Sequence, residues 1–281
     1  MSARTIEHPL LHFPSTDHYP LSVIPVSFAL EYDSQFNLKP DFVTEGLAGI
    51  AAKIAESSPR LDVLELGVGA APFLSCFSLA IEKSTSLHVT GVDTLRERRL
   101  AEAKHNVAKA LDIHGNPEDS MDIRSEDWNM TLASGRKYDV VYFNPPYLPA
   151  GEEVRNEMRN MPEEAIYVKE GDDGLAHYRN LFPRLREVVK PGGLIVIRTS
   201  NDDERFSKVR SMAEACMNQQ NGFTIHTAMI NSEMGDRNGR GLLIQAATIQ
   251  PFEYRMEPVN HIGGYVVRQI DRLGTSGKVL I

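Results

Sequence analysis

From residue 60 onward the chain alternates short apolar runs with helical patterns, and this alternation restricts the fold more than any other feature. "LDVLEL" (61–66), "LHVTGVD" (87–93), "MDIRSED" (121–127), "KYDVVYFN" (137–144) and "GGLIVIRTS" (192–200) read as five strands. Between the first two lies "APFLSCFSLAIEK" (71–83), where Phe73, Leu74, Phe77 and Ile81 follow helical spacing. "TLRERRLAEAKHNVAKAL" (94–111) is a second helix, with Thr94 as its N-cap. In "DDGLAHYRNLFPRLREVV" (172–189), Leu175, Tyr178, Phe182, Leu185 and Val189 share one face, and Pro183 should kink or divide that helix. Strands joined through helices are parallel crossovers, and near-continuous apolar runs are those of a sheet buried on both faces. Two last runs, "GFTIHTAMI" (222–230) and "GLLIQAATI" (241–249), are joined by the polar "NSEMGDRNGR" without a helix, which predicts an antiparallel pair. The expectation is an α/β fold with a seven-stranded, mostly parallel sheet, helices on both faces and an antiparallel last strand. Residues 1–50 are expected to form a substrate or lid segment, 51–250 the sheet domain, and 251–281 a C-terminal extension of it.

The turn after the first strand is "ELGVGAAP", with Glu65, Gly67 and Gly69. Glycines there let the backbone turn tightly and approach a ligand. A dinucleotide fingerprint would need a glycine where Pro72 stands. A carboxylate just before the loop also repels phosphate. It suits a cationic ligand, and S-adenosylmethionine (SAM) carries a sulfonium and an ammonium but no phosphate. The second strand ends in Asp93, placed to accept both hydroxyls of a ribose, with Thr94 beside it. After the third strand, Asp127 and Trp128 are candidates for the adenine side of the same ligand, and equally a surface acid and a half-buried core residue. Alone, the glycine turn is a weak signal; with Asp93 at the next strand end it points to a SAM site.

The fourth strand runs into "NPPY", Asn144 to Tyr147. Proline gives no N–H, so the ladder stops there and the loop is rigid. "ELGVGA", "VD" at 92–93 and "NPPY" together resemble the class I, Rossmann-like SAM-dependent methyltransferases. Within them, the chain is similar to the branch that methylates nitrogen on planar groups, which includes N6-adenine DNA methyltransferases and release-factor glutamine methyltransferases. "EGDDGLAHYRNLF" (170–182) and "GDRNGRGLLIQA" (235–246) are similar to the glutamine branch. The resemblance implies that Asn144 and the Pro145 carbonyl accept the two N–H groups of the acceptor and that Tyr147 stacks on it. The physical reason is orientation: an amide lone pair is delocalised and must be steered toward the methyl group. Tyr178 is a core residue by its helical spacing, with a substrate or sulfonium contact as its functional alternative. The departures are Ala71, where the family's third glycine stands, and residues 1–50, which read as too short and too Pro-rich for the helical N-terminal domain of the glutamine branch.

Two further readings stay open. In one, SAM itself is the substrate: its own amine attacks its γ-carbon and yields azetidine-2-carboxylate and methylthioadenosine. In the other, the chain is a silent SAM-binding subunit, which an intact NPPY argues against. The net charge of −8, from 38 acidic and 30 basic residues, disfavours nucleic acid as partner. The basic "RERR" (96–99) is better read as a solvated helix face. No apolar run approaches the roughly 20 residues that span a bilayer, and the N-terminus lacks a signal-peptide core, so a cytoplasmic location is expected. Cys76 and Cys216 are too few for a cysteine metal site, no histidine pair has ligand spacing, and no metal is expected. The expected partner is a small-molecule or peptide acceptor. The oligomeric state is open, a homodimer among the options.

Overall fold

A computed structural model describes residues 4–6, 11–12, 22–23, 28–30, 42–55, 58–94, 97–145, 174–218, 222–231, 238–247, 252–259, 264–271 and 279–280. In chain order the strands are β1 (Arg4–Ile6), β2 (Leu11–His12), β3 (Ser22–Val23), β4 (Phe28–Leu30), β5 (Arg60–Leu66), β6 (Ser86–Asp93), β7 (Ser120–Ser125) and β8 (Tyr138–Phe143). They continue with β9 (Val189–Thr199), β10 (Thr224–Asn231), β11 (Asn238–Gln245), β12 (Phe252–Val259), β13 (Gly264–Asp271) and β14 (Val279–Leu280). The helices are α1 (Phe42–Ala55), α2 (Pro72–Ala80), α3 (Glu97–His114), α4 (Trp128–Ala133), α5 (Ala176–Leu181), α6 (Leu185–Val188) and α7 (Asp203–Asn218).

The main sheet has the order β14-β13-β12-β10-β11-β9-β8-β5-β6-β7. Strands β7, β6, β5, β8 and β9 are mutually parallel, and β11 runs antiparallel between β9 and β10. This is the doubly wound, Rossmann-like arrangement with a reversed last strand that the alternation predicts. The strand count is a correction: the expected seven strands are present, and β12–β14 carry the sheet on past β10 to ten among the described residues. β12 pairs parallel with β10, and β13 pairs antiparallel with β12. An unpaired outer edge on β10 would leave its N–H and C=O groups without partners, and β12 supplies them.

Helices α1, α2 and α3 cover one face through Leu47, Phe73, Phe77 and Val107, against Val63, Val89, Val140 and Val196. On the other face α4 to α7 bury Leu132, Tyr178, Leu185 and Val209 against Leu64, Val141 and Ile195. Two-sided burial is why these strands read as apolar runs. Pro183 divides the expected 172–189 helix: a 3-10 turn at Phe182–Arg184 separates α5 from α6. Helix α1 runs across the expected boundary between residues 50 and 51, and it lies close on β11. A Cβ added to Gly239 would sit 2.1 Å from Val43 Cγ2, and one on Gly241 2.6 Å from Leu47 Cδ2. The two glycines of "NGRG" (238–241) in β11 therefore make room for a helix. No helix among the described residues is long and apolar enough to cross a membrane.

Candidate active site

Three neighbouring strands, β8, β5 and β6, present their carboxyl ends together. In open α/β sheets this is the edge at which ligands bind. The chain leaves β5 at Leu66 and turns over the edge. Gly67 and Gly69 have φ of 69° and 50°, left-handed values that glycine adopts without steric cost. Gly67 and Val68 donate their N–H groups to the Val92 carbonyl at 2.9 and 3.1 Å. Val68 is seated against β6 because residue 91 is glycine: a Cβ there would meet Val68 Cγ2 at 2.6 Å. The turn closes with Ala71 N–H donating to the Val68 carbonyl at 2.6 Å. Ala71 also takes a left-handed conformation, with φ 58° and ψ 46°.

Glu65 points inward, with 2 % exposure. Its carboxylate accepts from Leu74 N at 3.0 Å and from Phe73 N at 3.4 Å in the first turn of α2. The reason is local. The first N–H groups of a helix need acceptors, Ala71 as N-cap has no side-chain oxygen, and Pro72 has no N–H. Glu65 fills the gap from the preceding strand. Burial raises its pKa to about 8; the two backbone donors oppose this and the nearby Asp93 adds to it. The contact expected between Glu65 and a cationic ligand is thus taken up by the helix it caps.

Asp93 closes β6 and faces the loop. Its Oδ2 accepts from Gly69 N at 3.1 Å, and burial raises its pKa while the Gly69 and Thr94 N–H groups lower it. Thr94 is exposed, and α3 begins beyond it at Glu97. Asp127 is the N-cap of α4, accepting from Asn129 N at 2.8 Å. Trp128 is half-buried, its ring 5.6 Å from Phe143 and 6.1 Å from His177. His177 also meets Phe143 edge-on at 6.1 Å, and burial pushes its pKa down to about 4, so the imidazole is neutral near pH 7.

Asn144 follows β8 directly. Its side-chain Oδ1 is buried and accepts no hydrogen bond among the described residues. Most buried polar atoms in folded proteins have a hydrogen-bond partner. Pro145 is buried beside it, and Pro146 and Tyr147 lie outside the described residues. The Asn144 strand is locked to the glycine-loop helix. Tyr142 stacks on Phe73 of α2 with ring centres 4.0 Å apart and planes within 2°. Its hydroxyl lies 3.4 Å from Thr44 Oγ1 of α1, which also accepts from Arg198 at the end of β9. Tyr178 is packed away: it is fully buried, and its hydroxyl donates to the Arg198 carbonyl at 3.2 Å. The residues brought together at the edge are therefore Gly67, Gly69, Asp93 and Asn144, with Asp127 and Trp128 on the flank.

Two residues of the site escape a motif reading. Gly91 is needed for Val68, and its signal is only a glycine inside a strand. Asn106 occupies one slot of the apolar stripe Ala103, Val107 and Ala110 on α3, a polar residue at a core position.

No protein-family model matches the chain. Over 170 residues, 60% of its length, it is 31% identical to the release factor glutamine methyltransferase of Caulobacter vibrioides, of which this covers 55%. Over 154 residues it is 28% identical to the release factor glutamine methyltransferase of Koribacter versatilis, with 53% of this chain and 50% of that one covered. The chain thus spans about half the length of these curated relatives. Among solved structures, a putative class I S-adenosylmethionine-dependent methyltransferase of Listeria monocytogenes superposes with a TM-score of 0.49 at 16% identity, covering 78% of this chain and 64% of that one. The chain therefore has release factor glutamine methyltransferases among its relatives, in keeping with the resemblance of its motifs.

Proposed function

We propose that the chain is a SAM-dependent N-methyltransferase acting on a planar amide or amine nitrogen of a small molecule or peptide. The observation that carries the proposal is the Oδ1 of Asn144, buried at the strand end next to the glycine loop and without a partner among the described residues. SAM fits the residues present. The loop offers open space: a Cβ added at Gly67 or Gly69 meets nothing within 4 Å. Asp93 accepts from Gly69 N and retains lone pairs for ribose hydroxyls. The Asp93 carboxylate beside the loop disfavours a phosphate and tolerates a cation. When bound, SAM supplies a methyl group activated by a positively charged sulfur.

The chain's own residues then aim the acceptor. Asn144 Oδ1 takes one N–H of the acceptor nitrogen and the Pro145 carbonyl the other, which turns the lone pair toward the methyl donor. Because Phe73–Tyr142 stacking ties β8 to α2, the group that holds the acceptor and the loop that holds the cofactor keep a fixed spacing. The relatives' name makes the side-chain amide of glutamine the first acceptor to try.

The test is calorimetric binding of S-adenosylhomocysteine (SAH), followed by mass spectrometry of SAM incubated with a glutamine-containing peptide and with no acceptor. Wild type should bind SAH and methylate the amide. Asn144→Ala should keep SAH affinity within about threefold and lose at least about a hundredfold in turnover, the scale of one lost transition-state contact. Loss of SAH binding in the variant would make Asn144 structural. Methylthioadenosine formed from SAM alone would replace the proposal with the cyclase reading.

A further inference from the structure

We infer that Asn106 is a positioning residue for the cofactor loop; the inference rests on the SAM reading above. Asn106 lies on α3 with 1% exposure, in line with Ala103, Val107 and Ala110, all fully buried. Its Nδ2 donates to the Ala70 carbonyl at 2.9 Å, across 36 residues of chain. Its Oδ1 is buried and has no partner among the described residues. Burying an amide is unfavourable unless it is paired, and here only the donor is used. An apolar side chain of the same shape would suit the stripe better, so the donor is the reason for an asparagine at this place.

The carbonyl it holds sits at the centre of the loop. Val68 to Ala71 form a turn closed by Ala71 N–H on the Val68 carbonyl, with Gly69 and Ala70 as its central residues. Asp93 grips the turn at the Gly69 N–H, and Asn106 grips it at the Ala70 carbonyl. Those two contacts hold the Val68–Gly69 and Ala70–Ala71 peptides, which flank the central pair Gly69 and Ala70. Without Asn106, the Ala70–Ala71 peptide is held only by the Ala71 N–H bond to the Val68 carbonyl, and the turn that carries Gly69 loosens with it. Ala71 sharpens the need, because an alanine held at positive φ has a reason to relax toward another conformation. Asn106 thus acts on the ligand through the loop and touches no reacting atom.

The test is Asn106→Leu, which keeps volume and removes the donor, with SAH affinity measured by calorimetry well below the melting temperature. SAH should bind about tenfold more weakly than to wild type, the fold-change of one lost buried hydrogen bond. Amide exchange at Gly67 and Gly69 without ligand should quicken, and that of β5 should not. A lower melting temperature with unchanged SAH affinity would overturn the inference, because a packing role alone leaves the affinity of the folded protein intact. Should Asn106→Leu fail to fold, Asn106→Ala carries the same expectation and the same refutation. Failure of wild type to bind SAH would sink the cofactor reading and this inference together; wild-type binding with unchanged variants would sink this inference alone.

Discussion

Gly239 gives the sharpest numerical test of how this chain is packed. A methyl group at residue 239 would lie 2.1 Å from Val43 Cγ2, 2.7 Å from Cγ1 and 2.9 Å from Cβ. Carbon atoms rest at about 3.5–4.0 Å, so helix α1 or strand β11 must move by more than about 1 Å. Val43 is β-branched, stiff at χ1 and only 4% exposed, so its side chain cannot swing clear. Overpacking of this kind costs about 1–3 kcal/mol, and three close atoms put Gly239→Ala at the upper end. Against it stands a gain of roughly 0.5–1 kcal/mol, because glycine in a strand interior is itself unfavourable. The net expectation is a loss of about 2 kcal/mol in urea denaturation with an unchanged m value. Val43→Ala alone removes two methyl groups and should cost about 1.6 kcal/mol at about 0.8 kcal/mol each. The double variant should recover about 1–2 kcal/mol of the sum, since the two γ-carbons are gone and only the 2.9 Å contact with Cβ remains. A Gly239→Ala protein more stable than wild type, or a strictly additive double variant, would refute the close packing of α1 on β11.

Two further outcomes follow from the site's acids. Asp93→Asn should weaken SAH binding about ten- to a hundredfold, the scale of one or two charge-assisted hydrogen bonds, as read by calorimetry; an unchanged affinity would remove Asp93 from the ligand. Glu65→Gln should change how stability depends on pH. Because the folded pKa of Glu65 is about 8 against 4.5 unfolded, folded protein keeps a proton that unfolded chain releases, and stability falls as pH rises from about 4.5 to 8. The variant lacks this slope, so its stability relative to wild type in urea denaturation should be higher at pH 9 than at pH 5, by an amount on the order of a few kcal/mol. Parallel pH profiles would refute the buried-acid account.

The sheet was legible because β5, β8 and β9 are covered on both faces, which forces continuous apolar runs into the sequence. Helices α1 and α7 are fainter. In α7, Phe206, Val209, Ala213 and Met217 hold the core stripe but stand among charged residues that dilute it. Strands β12 to β14 are hard to foresee because pairing along an edge asks little of side chains. At the site, Asp93 and Asn144 stand at the strand ends where the motifs place them, yet the environment of each is a tertiary matter. Glu65 shows the limit most clearly. A carboxylate before a glycine turn serves a ligand or a helix equally well, and the choice is decided by whether Ala71 and Pro72 leave the first N–H groups of α2 without acceptors. Asn106 is similar: the stripe reveals an odd residue, and only the fold reveals the carbonyl opposite it.

The three extra strands also change what the sheet offers to other molecules. In a seven-stranded version the long strand β10 would have stood at the margin as an eight-residue template for a foreign strand. Here it is interior, and among the described residues the margins are β14, two residues long, and β7, which carries the half-exposed Asp122 and Arg124. Short or charged borders recruit intruding strands poorly. The C-terminal strands therefore act as a selvedge, finishing the fabric of the sheet so that it does not run on into its neighbours.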